Sequence, residues 1–159
     1  TFPKSVGQIP FAFPFKPGSD ESSETSVYGA LYPFGHGLSY TTFQYSDLAI
    51  SPSKQGVQGN ISISCTIKNI GQREGDEVVQ LYLRDEVSSV TTYTQVLRGF
   101  ERITLKPEAS HTVHFELTPQ ELGIWDKQMN FTVEPGMFKV MIGSSSKDIR
   151  LKGEFEIAQ

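Results

Sequence analysis

The stretch NISISCTIKN, Asn60 to Asn69, puts Ile61, Ile63, Cys65 and Ile67 on one phase and Ser62, Ser64, Thr66 and Lys68 on the other. Successive side chains of an extended strand point to opposite faces, so a period of two means one apolar face and one wetted face. Outward from it, GQREGDE reads as a Gly-bounded turn, and VVQLYLRD then places Val79, Leu81 and Leu83 on one face. HTVHFELT turns Val113, Phe115 and Leu117 inward, and MNFTV, MFKVMIG and IRLKGEFEI complete the strand candidates. In the last of these Ile149, Leu151, Phe155 and Ile157 oppose Arg150, Lys152, Glu154 and Glu156. Towards the amino terminus the period of two begins near residue 41. It changes phase at Asp47-Leu48-Ala49-Ile50 relative to Phe43 and Tyr45, which predicts a β-bulge.

Turn signals such as Lys106-Pro107 and Glu134-Pro135-Gly136 separate the runs, and no helix-length 3.6 period competes. About seven short strands in roughly 120 residues predict an all-β fold, a two-sheet sandwich of immunoglobulin or fibronectin type III shape. The single cysteine rules out the Cys…Trp…Cys pattern of antibody domains, which favours the fibronectin-like variant.

Residues 1–40 follow neither period. Pro3, Pro10, Pro14, Pro17 and Pro33 interrupt helix and strand alike. Yet Phe2, Phe11, Phe13, Phe15, Tyr28, Leu31, Tyr32 and Phe34 make this arm strongly apolar, unlike a free linker. Those rings are expected to pack on this domain or on a neighbour, while the acidic run Gly18 to Ser26 reads as an exposed loop. The chain starts Thr1-Phe2-Pro3 with no leader pattern, and we read it as a piece of a longer protein.

Composition narrows the chemistry. A net charge of -4 and a pI near 5.4 argue against nucleic acid, which selects basic surfaces. No apolar run nears the roughly 18 residues of a membrane span. Cys65 lies on an apolar phase and reads as a buried structural thiol. Asp76-Glu77 and Asp85-Glu86 are adjacent pairs beside strands; neighbours point apart, so neither pair converges on one bond, and both read as solvated turn charges. Asp126, after Trp125, reads as a turn or cap. His111 and His114, three apart on a strand, face opposite ways and cannot share an ion. No metal spacing or phosphate-cradling loop is present, so no cofactor is expected. Sugar binding calls for exposed rings beside polar groups, which makes Tyr93 and Trp125 the candidate sugar contacts. The plainer alternative packs Tyr82 under a loop and lets Trp125 plug one end of the sandwich. NIS at Asn60 and NFT at Asn130 fit the N-glycosylation pattern.

TFPKSVGQIP (Thr1 to Pro10), LYPFGHGLSYTTF (Leu31 to Phe43), EGDEVVQLYL (Glu74 to Leu83), LRGFERITLKP (Leu97 to Pro107) and VHFELTPQELGIWD (Val113 to Asp126) occur in this order. Together they closely resemble the carboxy-terminal part of glycoside hydrolase family 3, the β-glucosidase and β-xylosidase type. The resemblance implies that residues 1–40 are the tail of an α/β sandwich domain plus a linking arm, and that residues 41–159 are a fibronectin type III-like domain. It further implies that the catalytic acids of the parent lie on other domains, so no catalytic residue is expected in this chain. The partners it implies are the barrel and α/β sandwich domains of the same enzyme and its oligosaccharide substrate, with no nucleic acid and no membrane. The location it implies is periplasmic or extracellular.

On that reading Phe2, Phe11, Phe13, Phe15, Tyr32, Phe34 and His36 are the candidate domain-interface residues, and the Gly35 and Gly37 region is where the chain turns between units. His36 is read as bonding backbone carbonyls of the junction, the alternative being that it faces the active site across a domain boundary. The excursion from Ser88 to Arg98 is an alternative candidate to reach the active-site mouth. A carbohydrate-binding module, or an adhesion or assembly module, are the other functions weighed.

Overall fold

The computed structural model describes residues 1–8, 12–18 and 29–159. Phe2–Pro3 (β1) and Ala30–Tyr32 (β2) form a short antiparallel pair. Phe43–Ser51 (β3), Lys54–Gly56 (β4), Ile61–Asn69 (β5), Gly75–Asp85 (β6), Val96–Leu105 (β7) and Ser110–Leu117 (β8) follow. One helical turn, Pro119–Leu122 (α1), leads into the paired Ile124–Trp125 (β9) and Phe131–Thr132 (β10), then Gly136–Gly143 (β11) and Ile149–Ala158 (β12). One layer is ordered β4-β12-β11-β6-β7 and the other β3-β5-β8. Their neighbours run antiparallel except for β12 with β4. This is the expected two-sheet sandwich.

The core lies between the layers. Ile61, Ile63, Cys65 and Ile67 of β5 are fully buried, as their alternation demands, and share one cluster with Val79, Leu81 and Leu83 of β6. Phe138 of β11 lies directly opposite Phe155 of β12, and the rings stack with centroids 5.4 Å apart, the kind of cross-strand pair that stabilises a sheet. Phe115 of β8 is half-buried because its ring reaches across to Gly99 of β7. A Cβ at Gly99 would sit 2.9 Å from that ring, so glycine lets the two layers approach there. The expected bulge is present: pairing of β3 with β5 skips between Ser46 and Ala49, and Asp47 takes φ +53°.

Among the described residues seven strands are eight residues or longer, and one of them is not apparent in the sequence pattern. MNFTV contributes only the two-residue β10, with Phe131 exposed. In its place Val96–Leu105 forms a ten-residue edge strand. Its alternation is hidden because a bulge at Arg98 changes phase midway, and because one face of an edge strand carries exposed Phe100 and Arg102. The α1 turn is fixed by a capping box: the Thr118 backbone N–H donates to Glu121 Oε2 at 2.8 Å, and the Gln120 N–H donates to Thr118 Oγ1 at 3.3 Å.

Candidate functional site

The arm lies on the outer face of the five-stranded sheet. Tyr82 points outward on β6, yet it is fully buried because the arm covers it. Phe13 meets its ring edge-on at 5.9 Å, and Phe34 stacks on Phe13 at 4.5 Å. The plainer reading of Tyr82, packing under irregular chain, is the one observed. Beneath these rings the Tyr82 hydroxyl donates to Gln80 Oε1, and Gln80 Nε2 donates to the carbonyls of Gly35 at 3.0 Å and Ser144 at 2.6 Å. The Ser146 N–H donates to the Phe34 carbonyl and the Thr94 N–H to the Phe15 carbonyl, each at 2.9 Å. Gly35 sits at φ +77°, and a Cβ there would lie 2.0 Å from Gln80 Oε1. Only glycine allows that turn and that approach together.

The candidate interface residues therefore divide. Phe13 and Phe34 are engaged within the chain, and Phe15 is tied through its backbone. Phe2, Tyr32 and His36 remain exposed as a row, with Phe2 edge-on to Tyr32 at 6.1 Å and Tyr32 stacked on His36 at 5.1 Å. The His36 imidazole thus uses its face rather than bonding described backbone carbonyls. Phe11 lies outside the described residues.

A groove of about 750 Å³ runs along the same side of the sheet. Leu38, Val78 and Phe100 form its apolar part, and Leu38 is 93% and Phe100 69% exposed. Asp76 and Arg102 pair on its rim. Glu77 lies beneath and departs from the expected solvated charge: it is buried and accepts from the Tyr45 hydroxyl at 3.0 Å. Burial pushes its carboxyl above the ordinary glutamate range, opposed by that bond and by the Arg150 charge. Arg150 caps the site, lying 5.0 Å over the Tyr45 ring while donating to the Phe43 carbonyl at 2.7 Å and to Asp148 at 2.8 Å.

A smaller cleft, about 270 Å³, opens where β6 and β7 meet α1 and β9. It brings Tyr93 and Trp125 to one place, although they are far apart in sequence. Trp125 does not plug the sandwich: it is 59% exposed and leans edge-on against Phe131 at 5.5 Å. Asp126 fixes this hairpin, as its turn role predicts, by accepting from the N–H groups of Gln128 and Asn130 at 2.8 Å. Lys16 sits 5.9 Å over the Tyr93 ring.

Asp85 also lines the cleft and is half-buried rather than solvated. Burial pushes its carboxyl from 3.8 to about 6, against the Val87 N–H and with the charges of Glu134 and Glu86 adding. A carboxyl with a raised folded pKa holds its proton more tightly when folded. It therefore weakens folding as pH climbs from the unfolded value towards the folded one. Asp85→Asn is expected to raise Tm at about pH 7.5 and to leave it unchanged at about pH 3.5. Thermal melts at both pH values measure this; a lower Tm for the variant at neutral pH would contradict it.

The remaining candidates are placed as follows. Cys65 is fully buried, and burial raises its thiol to about 11, with Glu101 adding. His111 and His114 are both exposed, and His111 Nε2 lies 3.5 Å from Glu101. Asn60 and Asn130 are exposed. Among the described residues no group of three or more His, Cys, Asp or Glu gathers as a metal site, and no helix is long and apolar enough to cross a membrane.

Residues 77–146 match the profile of the family described as Fibronectin type III-like domain. A periplasmic β-glucosidase of Salmonella typhimurium is 41% identical over 99% of this chain, and a β-xylosidase of Formosa agariphila is 42% identical over 96% of it; the chain spans 22% of each. Among solved structures, a β-glucosidase of Erythrobacter marinus superposes with TM-score 0.86 at 35% identity, covering 96% of this chain and 20% of that one. A β-glucosidase of Listeria innocua in complex with glucose gives TM-score 0.79 at 31% identity, covering 89% and 19%. The chain thus spans about a fifth of the relatives it matches. Residues 77–146 belong to the fibronectin type III-like domain family, and the chain as a whole is similar to part of the β-glucosidases and β-xylosidases of glycoside hydrolase family 3.

Proposed function

We propose that this chain is a non-catalytic accessory domain of a periplasmic or extracellular β-glucosidase or β-xylosidase, and that it covers apolar surface on the catalytic domains and holds them together. The exposed apolar side of the groove carries the reading. Leu38 stands almost fully in water and Phe100 largely so, beside Val78 and the Phe2–Tyr32–His36 row. Contiguous apolar surface of this kind is uncommon on a free domain and common where another surface seats. The occupant is the part of the enzyme missing from this chain: the relatives are about five times longer and supply it in the same polypeptide. Residues 1–40 are then the tail and strap of the preceding α/β sandwich domain, and residues 41–159 the accessory domain itself.

The acidic residues support a non-catalytic role. Retaining glycosidases set two carboxyls about 5–5.5 Å apart across the scissile bond. Here Asp76 is held by Arg102 and Thr104, Glu77 by Tyr45, and Glu121 by Thr118. Asp76 and Glu77 are committed to the fold, and Glu121 is held in place by the cap.

The test is the pair Leu38→Ser with Phe100→Ser, made in this chain and in the longer enzyme. In the chain alone both side chains already face water, so Tm should move by less than about 2 °C. In the longer enzyme the pair should lower Tm by more than about 5 °C and weaken domain association in limited proteolysis. An unchanged Tm in the longer enzyme would refute the docking role.

A further inference from the structure

We propose that the cleft between Tyr93 and Trp125 binds one ring of a neutral oligosaccharide, with Arg98 as its central polar contact. The first observation is the bulge in β7. Leu81 pairs with Gly99 and Tyr82 with Leu97, which leaves Arg98 without a partner across the ladder. The extra residue switches the phase of the strand. Leu97, Phe100 and Arg102 line the outer groove, whereas Arg98 lines the cleft beside the core residues Leu83 and Phe138. In an unbulged strand Arg98 would share the outer face with Phe100 and Arg102. A bulge gives up regular pairing, and re-aiming a side chain is its recurrent use.

The second observation is what the cleft leaves unspent. Arg98 forms no hydrogen bond or ion pair with a described residue, and the Thr118 backbone N–H and hydroxyl both engage Oε2 of Glu121. The cleft therefore offers an arginine fork and the Glu121 carboxylate between two exposed aromatic rings. A pyranose is amphipathic in the matching way. Its C–H face packs on an aromatic ring, and its hydroxyls both accept from a guanidinium and donate to a carboxylate.

Charge and size set the ligand class. Lys16 and Arg98 are balanced by Asp85 and Glu121 around the cleft, so no net field favours a phosphate or a strongly charged peptide. At about 270 Å³ it falls below the roughly 300–1,000 Å³ of pockets that enclose a drug-sized ligand. One ring fills it, and the rest of the saccharide lies outside. The choice of gluco- and xylo-oligosaccharides rests on the function proposed above; the cleft itself does not.

Trp125 is the single tryptophan of the chain, so its fluorescence reports this cleft. Titrating the 159-residue chain with cellotetraose or xylotetraose should give a saturable change with Kd on the order of 1 mM. Arg98→Ala and Tyr93→Ala should each weaken binding about tenfold or more with the melting curve unmoved. Tyr93 stands in an exposed loop, so its variant stays informative if the Arg98 change disturbs β7. Absence of saturation up to about 10 mM, or saturable binding that both variants retain, overturns the proposal. Either outcome leaves the docking experiment untouched, since that one involves no sugar.

Discussion

Asn69→Ala is expected to lower Tm by on the order of 10 °C. Asn69 is fully buried at the end of β5, and its amide is completely used. Nδ2 donates to the carbonyls of Arg73 at 2.7 Å and Leu105 at 2.8 Å, while Oδ1 accepts from the Thr41 hydroxyl at 2.7 Å and the Gly71 N–H at 3.0 Å. One side chain thus ties the approach to β3, the β5–β6 turn and the last residue of β7. Alanine leaves four polar groups without partners, and the bond to Leu105 is buried. Unmet buried groups cost about 1–3 kcal/mol each, less where water reaches them, which gives about 3 kcal/mol in all. A domain of this size loses roughly 2–4 °C per kcal/mol. Asn69→Asp sharpens the test: it keeps the Oδ1 acceptor and its two bonds but sets a carboxylate oxygen against two carbonyls, so it should melt no higher than the alanine variant at neutral pH. Calorimetry of the three proteins decides it. A fall below about 2 °C for alanine, the size of a surface effect, would mean that the bonds are replaced by water without loss.

Tyr82→Ala is expected to cost about 3–5 kcal/mol, the usual range for removing a large buried ring, and to release the arm. The ring is the seat on which Phe13, and through it Phe34, rests, and its hydroxyl orients the Gln80 amide that holds Gly35. Tyr82→Phe keeps the seat and loses only the hydroxyl, so it should cost about 1 kcal/mol and leave the arm in place. Limited proteolysis within residues 1–40 separates the two effects: fast cleavage in Tyr82→Ala and slow cleavage in Tyr82→Phe. If the arm of Tyr82→Ala stays protected while Tm falls, Tyr82 serves the sheet alone and the strap is held elsewhere.

The same residue shows where local pattern stops being informative. Alternation placed Tyr82 on the wetted face of β6, and it does point outward; the arm, some seventy positions earlier in sequence, makes that face dry. Glu77 and Asp85 depart from their local pattern for a related reason. Charged residues beside turns are usually solvated, yet Tyr45 and Arg150 close over Glu77 and the Tyr93 loop and neighbouring carboxylates crowd Asp85. Edge strand β7 escaped notice because Arg98 breaks its period midway, whereas MNFTV read as a strand and became a two-residue pairing beside Trp125. Tyr93 and Trp125 were recognisable as candidate rings by type alone; that they share one cleft with Arg98 depends on contacts between segments about thirty positions apart.

What the sequence determined by itself is the layering. A period of two in β5, β6, β8, β11 and β12 admits one burial pattern, because a one-residue slip would turn every apolar side chain to water, and the phase change at Asp47 marks its own bulge. The family motifs also stand in the sequence, in order. Which outward faces stay wet, where the arm lies and which polar groups converge were decided only by the tertiary structure. Those properties depend on which distant segments meet, and hydrophobic patterning constrains the face a residue takes but not the neighbour that covers it.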